Sequence, residues 1–193
     1  SNSANQFWKK NNIKFDTPKV FFTGTFSTAF DFDKIRAAAK EITHCQFVLC
    51  GHGPCLDETR KLMKGLPNVV FPGWVDKFQM KSLANMSIAS LAPYKNVKNF
   101  TLNIPNKVVD SLMLGLPILS PLKGEVAALI KSNKVGFTYS DNISLSGCIE
   151  SLINNGKMQK KMSENAKKLY NEEFEFDKVY DSLVDHLENM VKK

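Results

Sequence analysis

The sequence has no hydrophobic run near the roughly 20 residues that a membrane-spanning helix needs. Its first ten residues are mostly polar and hold no apolar stretch of the signal-peptide type, so they predict no export. With 8 prolines and 10 glycines among 193 residues, the composition excludes collagen-like and low-complexity structures. At 43% hydrophobic residues, the chain instead predicts one folded domain with a full core.

Three familiar motifs are also missing. The sequence contains no G-x-G-x-x-G, which excludes the standard dinucleotide-binding fingerprint. It contains no G-x-x-x-x-G-K-[ST], which excludes the P-loop nucleotide hydrolases. It contains no G-x-S-x-G either, so no serine stands in a nucleophile elbow.

Cysteine and histidine are scarce. The four cysteines are separated by 5, 5 and 93 residues, which fits no zinc-binding pattern, and the three histidines form no pair that could complete a site. We therefore expect reduced and mostly buried thiols in a cytosolic protein, with no metal. The cysteines are Cys45, Cys50, Cys55 and Cys148.

Positive charge is concentrated in one part of the chain. The formal net charge is +7, and the segment 77–134 holds eight lysines and two acidic residues. The rest of the chain therefore carries a net charge of only +1. Such an excess fits a solvated face, an anionic ligand, a nucleic acid or an anionic membrane surface.

Short apolar runs alternate with segments of helical periodicity. Because these runs are apolar throughout, they predict strands that are covered on both faces. Strands separated by helices imply right-handed crossovers and a parallel sheet. The predicted fold is therefore α/β, a single domain with a doubly wound, Rossmann-like parallel sheet. The predicted strands are 20–23, 47–50, 69–71, 88–92, 117–120 and 135–138.

Ligands of such sheets lie beyond the carboxyl ends of the strands, where the strand order switches. The loops at those ends are 24–27, 51–54, 73–75 and 93–107. Gly24 permits a tight turn after the first strand, and the next helix can point its N-terminal amides at a phosphate. A plain turn is the alternative for this glycine.

The segment Pro105–Asp110 carries the most chemistry. Pro105 favours the first turn of a helix, and Lys107 and Asp110 then share one helical face. A lysine there can neutralise a diphosphate, while the carboxylate can accept hydrogen bonds from two sugar hydroxyls. The alternative is a local ion pair worth about 0.2–0.5 kcal/mol.

Taken together, these motifs resemble the C-terminal, nucleotide-sugar-binding half of GT-B glycosyltransferases, specifically those of the family 4 type. The resemblance covers roughly residues 18–180, and its landmarks run in the order of that family. They are Val20–Phe26, Phe47–Pro54, Asn68–Val75 (N-V-V-F-P-G-W-V), Ser87–Tyr94 (S-I-A-S-L-A-P-Y), Ile104–Ser120 (I-P-N-K-V-V-D-S-L-M-L-G-L-P-I-L-S) and Val135-Gly136.

The resemblance implies three parts of the chain. Residues 1–17 would be a linker or N-terminal extension, and residues 18–173 the domain that binds the donor. Residues 174–193 would form a C-terminal helix that packs towards a missing N-terminal domain. The chain would thus be part of a hexosyltransferase, inactive without that domain, which would bring the glycan or lipid-linked acceptor.

The resemblance also assigns roles to residues. The donor would be a nucleotide diphosphate sugar, preferably of UDP, and transfer would need no metal or other cofactor. Lys107 would be the catalytic residue, because its charge would stabilise the departing diphosphate. The residues expected to bind the donor are Gly24, Thr25 and Phe26 (diphosphate), Trp74 and Val75 (nucleobase), Asn103 and Ile104 (donor sugar), Lys107 (phosphates), Asp110 (ribose) and, without a more specific role, Asn106.

Three positions depart from the family. Relatives often carry a glutamate where this chain has Leu102, and a second, longer carboxylate where it has Asp110. The basic residue that commonly follows the first glycine is Thr25 here. Neutralisation of the diphosphate would therefore depend more heavily on Lys107.

The sequence leaves two other functions open. A nucleotide-sugar epimerase of the same fold would need histidines and carboxylates in the cleft, and only His52 lies in a suitable loop. A non-catalytic basic α/β module would use its lysines to hold a partner. Since those lysines are scattered without interleaved aromatic residues, we expect no nucleic-acid binding. We expect a cytoplasmic protein, with a possible peripheral contact at the inner face of the membrane.

Overall fold

The strands form one sheet in which every neighbouring pair is parallel, in the order β3-β2-β1-β4-β5-β6. The structure is a computed structural model that describes residues 2–175. The order reverses between β1 and β4, which places the switch point beside the first strand. The strands are β1 Lys19–Thr23, β2 Gln46–Cys50, β3 Val69–Gly73, β4 Ala89–Leu91, β5 Ile118–Ser120 and β6 Gly136–Thr138.

Helices connect the strands and cover both faces of the sheet. They are α1 Asn2–Lys10, α2 Asp33–Glu41, α3 Leu56–Leu62, α4 Lys77–Asn85, α5 Lys98–Thr101, α6 Asn106–Met113, α7 Glu125–Asn133, α8 Leu145–Asn154 and α9 Gly156–Leu169. A π-helical turn, Tyr170–Phe174, follows α9. The predicted α/β fold, a doubly wound parallel sheet in a single domain, is confirmed.

The core consists of a larger and a smaller hydrophobic cluster, which lie on opposite faces of the sheet at β1 and β2. In β1, Phe22 faces the larger cluster, which includes Leu49 and Val108, whereas Phe21 faces a smaller cluster with Val48. Successive side chains of a strand point to opposite faces, so an uninterrupted apolar run supplies both layers. This explains why the strands carry almost no alternation of polar and apolar residues.

The beginning of the chain differs from the predicted linker. Residues 2–10 form α1, and Trp8 is fully buried in the smaller cluster together with Ile13. The resemblance implies a linker or N-terminal extension over residues 1–17, whereas Ala4 and Trp8 share one helical face and both are buried. This segment therefore contributes to the core instead of merely leading into the domain.

At the other end, the predicted helix at 174–193 lies outside the described residues, apart from Phe174 and Glu175. A bilayer-spanning helix is absent from residues 2–175, where every helix is too short or too polar.

Candidate functional site

A cleft of about 330 Å³ opens at the carboxyl ends of the first three strands, beside the start of α6. It lies at the side of the sheet where the strand order switches, as the fold predicts for a ligand site. Eleven residues line it: Thr23, Gly24, Thr25, Cys50, Gly51, His52, Trp74, Val75, Met80, Lys107 and Asp110.

Glycine main chain forms the floor of the cleft. The amide of Gly24 donates to the carbonyl of Cys50 at 3.0 Å, and the amide of Gly51 donates to the carbonyl of Gly73 at 2.7 Å. A Cβ added to Gly51 would lie 1.8 Å from the Gly24 oxygen, and Gly51 has φ of +130°. A side chain there is excluded by space and by conformation, so the loops after β1 and β2 can close against each other.

Lys107 is the cation of the cleft. Its ammonium nitrogen donates a hydrogen bond to the main-chain oxygen of Thr23, at the end of β1. Among the described residues, no carboxylate oxygen lies within 4.0 Å of it. Burial lowers the pKa of Lys107, and the nearby charge of Asp110 partly opposes that change. The cation is therefore partly desolvated and has donors available for an anion.

Asp110 lies one turn along α6 and also lines the cleft. Its carboxylate forms no ion pair with Lys107 within 4.0 Å, so the alternative of a local ion pair is not observed. Burial raises the pKa of Asp110, and the charge of Lys107 acts in the opposite direction. The two groups act on each other through space, and both line the cleft.

The loop after β3 forms a wall of the cleft. Trp74 is 66% exposed and Val75 is half-buried, and both line the cleft. Asp76 then begins α4 with a capping box: its carboxylate accepts from the amides of Phe78 and Gln79, and the Gln79 side chain accepts from the Asp76 amide. This reciprocal cap fixes where α4 begins, and therefore where the loop that carries Trp74 ends.

Six of the predicted site residues come together in the cleft, and four do not line it. The six are Gly24, Thr25, Trp74, Val75, Lys107 and Asp110. Of the others, Asn103 and Asn106 are exposed, and the amide nitrogen of the Asn103 side chain donates to the Asn99 carbonyl. Ile104 packs against the larger core cluster. Contacts from these three to a donor sugar stay predictions.

Phe26 does not line the cleft, and its expected contact with the diphosphate stays a prediction. Its ring is fully buried among other aromatic rings. Its amide donates to the carbonyl of His52 at 2.8 Å, and its carbonyl accepts from the amide of Cys55 at 3.0 Å. Through these two main-chain hydrogen bonds, Phe26 joins the loops that follow β1 and β2.

Sequence reasoning missed five residues of the cleft: Thr23, Cys50, Gly51, His52 and Met80. The sequence indicates the loop 51–54 as a strand-end loop, but no local pattern marks Met80 as a residue of the cleft. Met80 faces β1, where its sulfur accepts from the Thr23 hydroxyl at 3.8 Å. Burial raises the pKa of Cys50 to about 12, so its thiol is protonated at neutral pH and is no nucleophile.

No group of three or more His, Cys, Asp or Glu side chains within residues 2–175 is placed to hold a metal ion. Transfer without a metal or other cofactor stays a prediction.

Comparison with known proteins identifies the family. The sequence profile described as "Glycosyl transferases group 1" matches residues 4–169. The chain belongs to this family. No curated protein matches this chain by sequence.

Solved structures with the same fold are numerous, and three are representative. A glycosyltransferase from Rickettsia africae matches with a TM-score of 0.80 and 12% identity, over 100% of this chain and 52% of that one. Anabaena HepE in complex with UDP-glucose gives 0.74 and 15%, over 97% and 53%. A mutant of TarM from S. aureus, in complex with fondaparinux, alpha-GlcNAc-glycerol and UDP, gives 0.72 and 14%, over 88% and 35%.

The TM-scores show that these proteins share the fold of this chain, and at 12–15% identity the likeness shows the fold alone. This chain spans about half the length of the Rickettsia and Anabaena chains, and about a third of the length of the TarM chain.

Proposed function

We propose that this chain is the C-terminal, donor-binding half of a GT-B glycosyltransferase of the family 4 type, which transfers a hexose from a nucleotide diphosphate sugar. The observation that carries the proposal is the position of Lys107. Its partly desolvated ammonium group lies at the switch point of the sheet, against a glycine turn, with no carboxylate within 4.0 Å among the described residues. A diphosphate is the anion that this arrangement suits.

In this proposal, the charge of Lys107 and the first amides of α6 stabilise the negative charge that develops on the departing diphosphate. Asp110 accepts hydrogen bonds from the ribose hydroxyls, and its half-buried place on the same helical face supports that role. The main chain at Trp74 and Val75 holds the nucleobase. Of the residues that line the cleft, His52 is the one histidine, which gives an epimerase little support.

UDP is the proposed nucleotide. HepE and TarM, which share the fold, were solved with UDP-glucose and with UDP, respectively. The acceptor is proposed to be a glycan or a lipid-linked glycan in a pathway of polysaccharide biosynthesis, held by an N-terminal domain that lies outside this chain. The cleft contains no second carboxylate beside Asp110, so we propose no covalent glycosyl-enzyme.

The experiment that tests this function is a titration calorimetry series with UDP, GDP, ADP and uridine. We expect UDP to bind more tightly than uridine, because the diphosphate meets Lys107, and more tightly than the two purine nucleotides. We expect no transfer from a UDP-sugar by this chain alone. Equal affinity for UDP and uridine would contradict a diphosphate site, and measurable transfer would contradict the need for a second domain.

We also propose a peripheral contact with the inner face of an anionic membrane. An apolar groove of about 540 Å³ runs between α4 and α6, where Phe78 is 70% exposed and Met113 46% exposed. Three lysines border it: Lys77 and Lys81 on α4, and Lys167 on α9. Exposed apolar side chains edged by lysines suit the boundary of an anionic bilayer.

This contact predicts sedimentation with vesicles of phosphatidylglycerol and phosphatidylcholine at low salt, but not with phosphatidylcholine alone. The double variant Lys77→Glu, Lys81→Glu should weaken binding strongly, because each basic residue near the surface contributes about 1 kcal/mol. The control, Lys61→Glu with Lys64→Glu, makes the same change of charge at exposed positions near the end of α3. Equal loss in both variants would mean that net charge alone acts, and would contradict the contact.

A further inference from the structure

Two phenylalanine rings face the ammonium group of Lys107. Its Nζ lies 4.8 Å from the centre of the Phe22 ring and 5.3 Å from the centre of the Phe30 ring. Separations below about 6 Å are those of cation–π contacts. With the Thr23 carbonyl, the rings surround the cation on the core side. We propose that Phe22 and Phe30 are positioning residues, which hold the Lys107 ammonium at the end of β1 where the donor diphosphate binds.

The surroundings fix the ring of Phe30. Phe30 forms an isolated antiparallel bridge with Tyr94, and the two ring centres are 4.7 Å apart. On either side of it, the Asp31 amide donates to the Pro93 carbonyl at 2.8 Å, and the Lys95 amide donates to the Ala29 carbonyl at 2.9 Å. The loop after β1 is thus attached to the loop after β4. Phe30 has little freedom to leave the lysine.

Phe22 and Gly24 also surround the Lys107 ammonium group. Phe22 is fully buried and makes edge contacts with the rings of Phe26, Phe30 and Phe32 at 5.0–5.3 Å. A Cβ added to Gly24 would lie 1.9 Å from Lys107 Nζ, so the lysine occupies the space that any larger residue would need.

A lysine side chain has a flexible stem whose ordering is costly. Here the aromatic rings and the glycine turn order it when the protein folds, so binding of the diphosphate need not do so. The inference rests on the proposed function and extends it, since it assigns to two buried rings the task of preparing the cation.

The test compares two phenylalanine variants in the same aromatic cluster. Phe30→Leu keeps an apolar side chain but removes the π face beside Lys107. Phe32→Leu is the matched control, because Phe32 is equally buried and stacks on Phe26 at 5.3 Å, yet its ring makes no cation–π contact with Lys107. We expect Phe30→Leu to weaken UDP binding roughly 2-fold to 30-fold. Uridine binding should be unchanged in both variants, and Phe30→Tyr should restore the affinity for UDP.

A second measurement needs no ligand. In an NMR spectrum of the free protein, the ε-CH₂ protons of Lys107 should resonate upfield of those of exposed lysines, because they lie over two aromatic rings. Phe30→Leu should move this signal towards the exposed lysines, and Phe32→Leu should leave it in place. This signal tests the contact between the Phe30 ring and Lys107, while the loss of affinity confined to UDP separates a positioning role from a merely structural one.

The outcomes separate the two proposals. If Lys107→Ala weakens UDP binding while Phe30→Leu changes neither affinity nor the Lys107 signal, the positioning role is wrong and the donor site stands. If Phe30→Leu and Phe32→Leu weaken UDP and uridine equally, the rings act only through packing, which also overturns the inference. If Lys107→Ala leaves UDP binding unchanged, the proposed function itself fails.

Discussion

Replacing Trp8 with alanine should lower the free energy of unfolding by about 3–5 kcal/mol, the usual range for a large aromatic residue removed from a core. Trp8 is fully buried and packs with Ile13, Phe21 and Val48 in the smaller cluster, and its ring meets that of Phe7 at 4.8 Å. Domains are stable by about 5–15 kcal/mol, so this loss would remove a large part of the total. Urea unfolding followed by far-UV circular dichroism measures it without relying on tryptophan fluorescence.

The second tryptophan of the chain is the control. Trp74 is 66% exposed at the mouth of the cleft, so Trp74→Ala should change the free energy of unfolding by no more than about 0.5 kcal/mol. A similarly small loss for Trp8→Ala would show that residues 1–17 are a linker after all. The pair thus decides whether this domain begins with α1 or with β1.

The sheet could be predicted because its strands carry a simple signal. Segments such as Phe47–Cys50 are apolar without interruption and end in glycine, and helical periodicity separates one from the next. Burial on both faces of a parallel sheet requires that composition, so few other folds fit it. Helix α1 was missed because its few apolar residues gain their burial from distant parts of the chain. The spacing of Ala4, Phe7 and Trp8 was the available signal.

The site could be predicted as a set of loops but not residue by residue. The position of Gly24 and of the helix carrying Lys107 follows from strand ends and from Pro105, and the structure places both in the cleft. Which neighbouring side chain faces the cleft depends on loop torsions and on hydrogen bonds between loops. Phe26 is turned into the core by its bonds to His52 and Cys55, which no local pattern encodes.

The largest expected effect on binding is that of Lys107→Ala, which should weaken UDP binding roughly 10-fold to 150-fold. Hydrogen bonds to a charged group contribute about 1.5–3 kcal/mol, and the low polarity around this cation favours the upper part of that range. Lys107→Met is the stricter variant, because it keeps most of the apolar stem beside Phe22 and Phe30 and removes the charge alone. Calorimetry with UDP and uridine measures both variants, and the loss should be confined to UDP.

The same substitution of Lys107 should not lower the stability of the fold, although it lowers the affinity for UDP. Burial lowers the pKa of Lys107 in the folded protein, which means that folding destabilises the charged form of the side chain relative to the unfolded chain. Lys107→Met removes that cost and should leave the melting temperature unchanged or raise it, whereas Lys123→Ala at an exposed position should alter neither stability nor binding. A variant that binds UDP poorly and melts no earlier than the wild type would mark Lys107 as a residue kept for function at the expense of the fold. A clear fall in melting temperature would instead assign Lys107 a structural role through its bond to Thr23.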